Sequence, residues 1–150
     1  MSVAVAVTRM SEDCIFCRIV DGEIPSRTVY ENEHVLAFLD ANPLTPGHTL
    51  VVPKAHHERL NDVPEDLAAE LYAVLHDVVP AAEAAADAPA STVAFNNGEV
   101  AGQEVPHVHG HVIPRTAGDG GGPVHELFTE TADLSEDELD DVAETIRSEL

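Results

Sequence analysis

The chain has 150 residues, 44% of them hydrophobic, enough for one domain with a packed core, which excludes a disordered chain. No apolar run approaches the ~20 residues of a membrane span. Asp and Glu number 28 against 7 Lys and Arg, a formal net charge of -21; phosphate contacts need clustered cations, so non-specific nucleic-acid binding is disfavoured.

Self-repulsion of this size is tolerable in strong salt, where the screening length falls to about 3 Å at 1 M. The charge therefore points to a halophilic protein, with an ordinary acidic protein as the alternative. Residues 1–12 read as a flexible extension. MSVAVAVTRM has an apolar patch but neither the basic start nor the full core of a signal peptide. Met10 is an alternative start, and the location expected is cytoplasmic. Residues 13–150 read as one domain.

Residues 14–20 read as a short helix or turn ended by Asp21-Gly22. Strands are expected over 26–31 and 34–39 around a tight Asn32-Glu33 turn. NPLTPG at 42–47 is a loop, and HTLVVP at 48–53 is a strand. A long helix follows, with Asp62 as its cap and Pro64 in its first turn. Leu67, Leu71, Val74, Leu75 and Val78 form its apolar stripe. Pro80 is expected to kink or break it, leaving a second helical piece running to Ala90. Residues 91–96 form another strand and 97–102 a turn. AGDGGGP at 117–123 is a loop without the GxxxxGK[ST] phosphate pattern. Ser135, with Glu138 three residues on, is a capping box that starts a last helix; Leu139, Val142, Ala143 and Ile146 form its apolar face. Hairpin-joined strands with separate helices argue for an α+β fold with an antiparallel sheet.

Between turn and loop lies QEVPHVHGHVIPR, residues 103–115. Its valines and isoleucine favour a strand, which puts His107, His109 and His111 on one face, each about 7 Å from the next. A solvated face would carry Thr, Glu or Lys instead, so metal ligation or acid/base and nucleophilic work on a substrate remain. A two-metal HxHxDH hydrolase is excluded, because Val112 follows His111. The two cysteines form Cys14-Ile15-Phe16-Cys17, a spacing used by zinc sites and redox pairs alike. The polar Ser11-Glu12-Asp13 before them is unlike the buried strand that leads into a thioredoxin-type site.

QEVPHVHGHVIPR resembles the signature of the histidine triad (HIT) family, His-φ-His-φ-His-φ-φ. CIFCRIVDGEIPSRTVYENEHVLAFLD and PLTPGHTLVVPKAH resemble the family's amino-terminal and central regions. Gly110 departs from the pattern, standing where a hydrophobic residue is usual; it is expected to leave a gap on the back of the strand. The resemblance implies a HIT-like fold, a five-stranded antiparallel sheet with a long central helix and a C-terminal helix, commonly paired into a homodimer.

The implied activity is nucleotidyl hydrolysis or transfer on an AMP-like purine nucleotide, of the phosphoramidate or aminoacyl-adenylate type, through a covalent nucleotidyl-histidine. By this resemblance His109 is the nucleophile. His111 donates to a phosphoryl oxygen, His48 orients the triad, and Gln103 contacts the phosphate or leaving group. Asn96 and the Gly102 backbone share that phosphate side. Asp40 holds the ribose hydroxyls, while Phe16, Ile24 and Leu39 line the base pocket. Loop capping is the alternative role for Gln103 and Asn96, turn capping for Asp40, and plain core for the three apolar residues. In a subset of the family CxxC is half of a structural zinc site, whose other ligands are here His56 and His107; His57 remains an alternative to His56. Diadenosine polyphosphate hydrolysis, a nucleotide-binding protein with vestigial hydrolysis, and metal handling remain as other readings.

Overall fold

The computed structural model describes residues 13–150, so the expectations for residues 1–12 lie outside the described residues. The chain divides into two compact units, the first ending at Asp119 and the second spanning Gly120–Leu150.

The first unit contains α1 (Ile15–Val20), β1 (Thr28–Glu31), β2 (Val35–Leu39), β3 (Thr49–Pro53), α2 (Glu65–Ala86), β4 (Ala90–Ala94) and β5 (Gly110–Arg115). The five strands form one sheet in the order β1-β2-β3-β5-β4, and every neighbouring pair is antiparallel. The turn between β1 and β2 is set by Asn32, whose side-chain oxygen accepts from the amides of His34 and Val35 at 3.0 and 2.8 Å.

Strand alternation divides the core. Val35, Ala37, Val51 and Val112 pack under α2 against Leu71, Val74, Leu75, Val78 and Ala82. Leu36, Phe38, Leu50 and Val52 point to the opposite face, where Cys14, Phe16 and Cys17 cover them. One face is thus closed by the long helix. The other is closed by α1, and it is there that the histidines gather.

Three local expectations need correction. Asp62 does not cap α2: its carboxylate accepts from Arg59 N at 3.1 Å and closes the short 3-10 turn Leu60–Asp62, while Pro64 holds the N-cap position. Pro80 does not break α2, which runs on to Ala86 and ends where Asp87 turns left-handed at φ 52. Pro80 is exposed, so the carbonyl it leaves without a donor can turn to water, while Val78 and Ala82 on either side stay anchored in the core. Finally, the strand begins only at Gly110. His107 N turns back to Val105 O at 2.8 Å, and Val108 N donates to His57 O at 2.8 Å instead of to a neighbouring strand. Of the three histidines only His111 is a strand residue.

The second unit holds a 3-10 turn, Val124–Leu127, and α3 (Glu136–Glu149). The capping box forms as the spacing predicts: Ser135 Oγ accepts from Glu138 N at 3.2 Å, and Glu138 Oε1 accepts from Ser135 N at 3.1 Å. Leu139, Val142 and Ile146 are about half exposed. No helix among the described residues is long and apolar enough to cross a membrane.

Candidate active site

His109 is buried in the segment leading into β5, in a T-shaped contact with the Phe16 ring at 4.9 Å between centroids. Its Nδ1 lies 2.8 Å from the carbonyl of His107. A carbonyl only accepts, so Nδ1 carries a proton, and in the neutral ring Nε2 presents the lone pair.

A second chain of contacts sets the neighbouring histidines. Leu44 N–H donates to His48 Nδ1 at 3.1 Å. His48 therefore holds its proton on Nε2, which donates to His111 Nδ1 at 3.0 Å. That leaves the His111 proton on Nε2, and the His111 ring lies 5.0 Å from that of His109. The pair thus offers one lone pair and one N–H side by side. Burial, then the nearby His109 and His48, pushes the His111 pKa down to about 4. Burial also lowers that of His48, against the opposing pull of Asp40. Both rings are neutral near pH 7.

Asp40 Oδ2 lies 3.6 Å from His48 Nε2, and its Oδ1 accepts from Asn42 N at 2.9 Å. Asp40, His48 and His111 have ligand atoms close enough to hold a cation. The Leu44 amide opposes that use, because it obliges His48 Nε2 to carry a proton.

The cysteines meet two histidines. Cys14 Sγ is 3.2 Å from His107 Nδ1, Cys17 Sγ is 3.3 Å from His56 Nδ1, and Cys17 Sγ is 3.5 Å from His107 Nδ1. Tetrahedral zinc with bonds of about 2.0–2.3 Å needs ligand atoms roughly 3.3–3.8 Å apart. These three distances lie within or about 0.1 Å below that range, so the Cys2His2 set can close on the ion with a small adjustment. His107 Nε2 donates to Pro53 O at 2.8 Å, which turns the lone pair of Nδ1 toward the sulfurs. His56, not His57, stands in the cluster as the fourth candidate ligand.

The remaining expected residues divide. Phe16 faces the triad. Asn96 lies beside Gly102, its Cγ 3.9 Å from where a Gly102 Cβ would stand, and the Gly102 amide itself donates to Glu99 O at 2.9 Å. Ile24 is half-buried after α1. Leu39 is not brought to this face: it lines an apolar cavity of about 320 Å³ together with Val74 and Val78 of α2. Phe38 stands on the triad side instead, 5.7 Å from Phe16, because neighbouring strand residues point to opposite faces. Gln103 is buried, and its amide is fully engaged in bracing loops: Oε1 accepts from Gly98 N at 2.8 Å, and Nε2 donates to Glu58 O and Val105 O at 2.6 and 3.0 Å. It has no donor left to offer a phosphate as the loops stand.

The family model described as HIT domain matches residues 21–118. An uncharacterized HIT-like protein of Methanocaldococcus jannaschii is 53% identical over 109 residues, covering 71% of this chain and 82% of that protein. The adenosine 5'-monophosphoramidase of Saccharomyces cerevisiae is 42% identical over 105 residues, covering 68% of this chain and 62% of the yeast protein. Among solved structures, a HIT-family protein of Bacillus subtilis superposes with a TM-score of 0.84 at 40% identity, covering 92% of this chain and 97% of that one. A zinc-bound histidine triad protein of Mycobacterium smegmatis superposes with a TM-score of 0.69 at 35% identity, covering 93% and 99%.

Proposed function

The chain belongs to the HIT-domain family, and we propose that within it this protein is a nucleotidyl hydrolase or transferase acting on an AMP-like purine nucleotide. The observation that carries the reading is the Nδ1 contact of His109 with the His107 carbonyl, 2.8 Å long, which in the neutral ring selects the tautomer whose Nε2 carries the lone pair. In this reading Nε2 attacks the α-phosphorus. The new N–P bond forms as the bond from phosphorus to the leaving group breaks, and the leaving group departs with the electron pair, as a neutral amine in the phosphoramidate case once its nitrogen has taken a proton from solvent. The Nε2 proton of His111 hydrogen-bonds the phosphoryl or leaving-group oxygen where charge grows. Water then attacks phosphorus, breaks the N–P bond, and releases the monophosphate with His109 restored.

Asp40 takes the ribose hydroxyls, and Phe16 and Phe38 take the base, with Ile24 beside them. Asn96 and Gly102 form the phosphate side. The name of the yeast relative favours a phosphoramidate leaving group; aminoacyl-adenylates and diadenosine polyphosphates are the other leaving-group types. Zinc at Cys14, Cys17, His56 and His107 is structural in this reading. It would supply a closed four-ligand anchor that ties α1 to the sheet. We also take the working form as a cytoplasmic homodimer, which the position of β4 at one end of the sheet, with Val93 exposed, supports. No membrane or nucleic-acid partner belongs to this reading.

The test is intact-protein mass after brief exposure to an adenosine phosphoramidate in high salt, on wild type and His109→Gln. We expect an adduct of AMP mass on the wild type alone. AMP binding with neither adduct nor AMP release, across phosphoramidate, acyl-adenylate and dinucleotide substrates, would replace this reading with that of a nucleotide-binding protein.

A further inference from the structure

The strand register opposes Ala94 to His111, so one residue beyond the end of β4 Phe95 stands across from Gly110. The gap expected behind Gly110 is not there. A Cβ on Gly110 would lie 2.8 Å from Phe95 Cζ and 3.1 and 3.2 Å from its two Cε atoms, so the tip of the ring occupies that space. The ring also packs against the core beneath α2. An aromatic side chain covering a glycine on the adjacent strand restores the packing that the glycine lacks and pins the register. Here it does so at the residue between His109 and His111, and from the residue just before Asn96.

We propose that Phe95 is a positioning residue for the triad: its ring, seated on the back of Gly110, sets the backbone from which His109 and His111 project and ties it to the loop starting at Asn96. This rests on the hydrolase reading above and deepens it. Where the family pattern has an apolar side chain on the strand itself, this chain has exchanged it for one that reaches across from β4. The pair is therefore matched in size, and changing either member alone shifts the two reacting rings relative to each other.

The experiment compares Phe95→Ala, Gly110→Val and the double variant with wild type in high salt. Turnover of an adenosine phosphoramidate is measured together with imidazole 15N NMR of His109 and His111. Each single variant should lower kcat on the order of 10- to 100-fold, with KM within about threefold, because small displacements of a reacting group act mainly on the chemical step. The double variant should recover most of the loss, and the His109 Nδ1–H signal should shift in the singles and return in the double. Gly110→Ala replaces Gly110→Val on the same readouts if the valine variant does not fold. Unchanged kcat in both folded singles, or no recovery in the double, overturns the proposal. If the wild type releases no AMP, the hydrolase reading fails and the NMR decides positioning: unmoved signals in the singles overturn it, and signals displaced and then restored support it.

Discussion

The side chain of His109 donates to the main-chain carbonyl of His107 at 2.8 Å, while the His107 ring turns Nδ1 toward Cys14 and Cys17. One residue therefore joins two sites. Its side chain belongs to the cysteine cluster, and its backbone determines which nitrogen of His109 is free. Anything that moves His107 changes the nucleophile without touching it.

Cys14→Ser tests the cluster cleanly. Cys14 also caps α1, its sulfur accepting from Cys17 N at 3.2 Å, and serine keeps that cap while losing the thiolate ligand. We expect zinc near one per chain in the wild type and well below that in the variant, with a melting temperature lower by on the order of 10 °C. Elemental analysis and thermal unfolding at matched zinc check this. Equal melting temperatures with and without chelator would remove the structural role.

His48→Phe should lower turnover on the order of 10- to 100-fold, as the loss of a group that orients an active-site ligand does, with zinc content unchanged. The cause is specific. Without the Nε2–H of His48 the proton on His111 can occupy either nitrogen, and NMR of the ring should report mixed tautomers. A variant of full activity, or one whose His111 keeps a single tautomer, would break the chain from Leu44 through His48 to His111.

Acid should destabilise the fold over a defined range. The folded chain resists a proton on His111, whose pKa burial and its histidine neighbours push down to about 4; the unfolded chain accepts it near 6.5. Between those values the unfolded state binds more protons, so stability is complete above about 6.5 and falls as pH drops toward 4. His48, lowered chiefly by burial, acts in the same direction. Melting curves from pH 7.5 to 4 at constant salt should show the decline, with a shallower slope in His111→Asn. Identical slopes would assign the acid sensitivity elsewhere.

Salt should act in the stabilising direction. With a net charge of -21, raising KCl from about 0.1 M to about 3 M cuts the screening length from ~10 Å to below ~3 Å and relieves repulsion among the carboxylates. A rising melting temperature supports salt adaptation; a flat or falling one supports an ordinary acidic protein.

Local pattern alone determined a good deal. The strand-like apolar runs VLAFL and TLVVP, the Ser135–Glu138 box and the stripe on α2 each depend on neighbours a few residues apart, and the structure contains all of them. The resemblance of QEVPHVHGHVIPR and the CIFC region to the motifs of a known family pointed to that family, and the family model matching residues 21–118 shows it. What only the tertiary structure decided depends on groups distant in sequence. His107 and His109 leave the strand because Val108 finds its acceptor in His57. The amide of Gln103 is claimed by carbonyls at 58 and 105 and the amide at 98. Leu39 turns away because a strand has two faces, and only the placement of α2 says which of them is far from the triad. The gap behind Gly110 is closed by a ring 15 residues earlier. Hydrogen bonds and packing are satisfied by whatever the fold brings near, and a pattern of neighbours along the chain does not encode who those partners are.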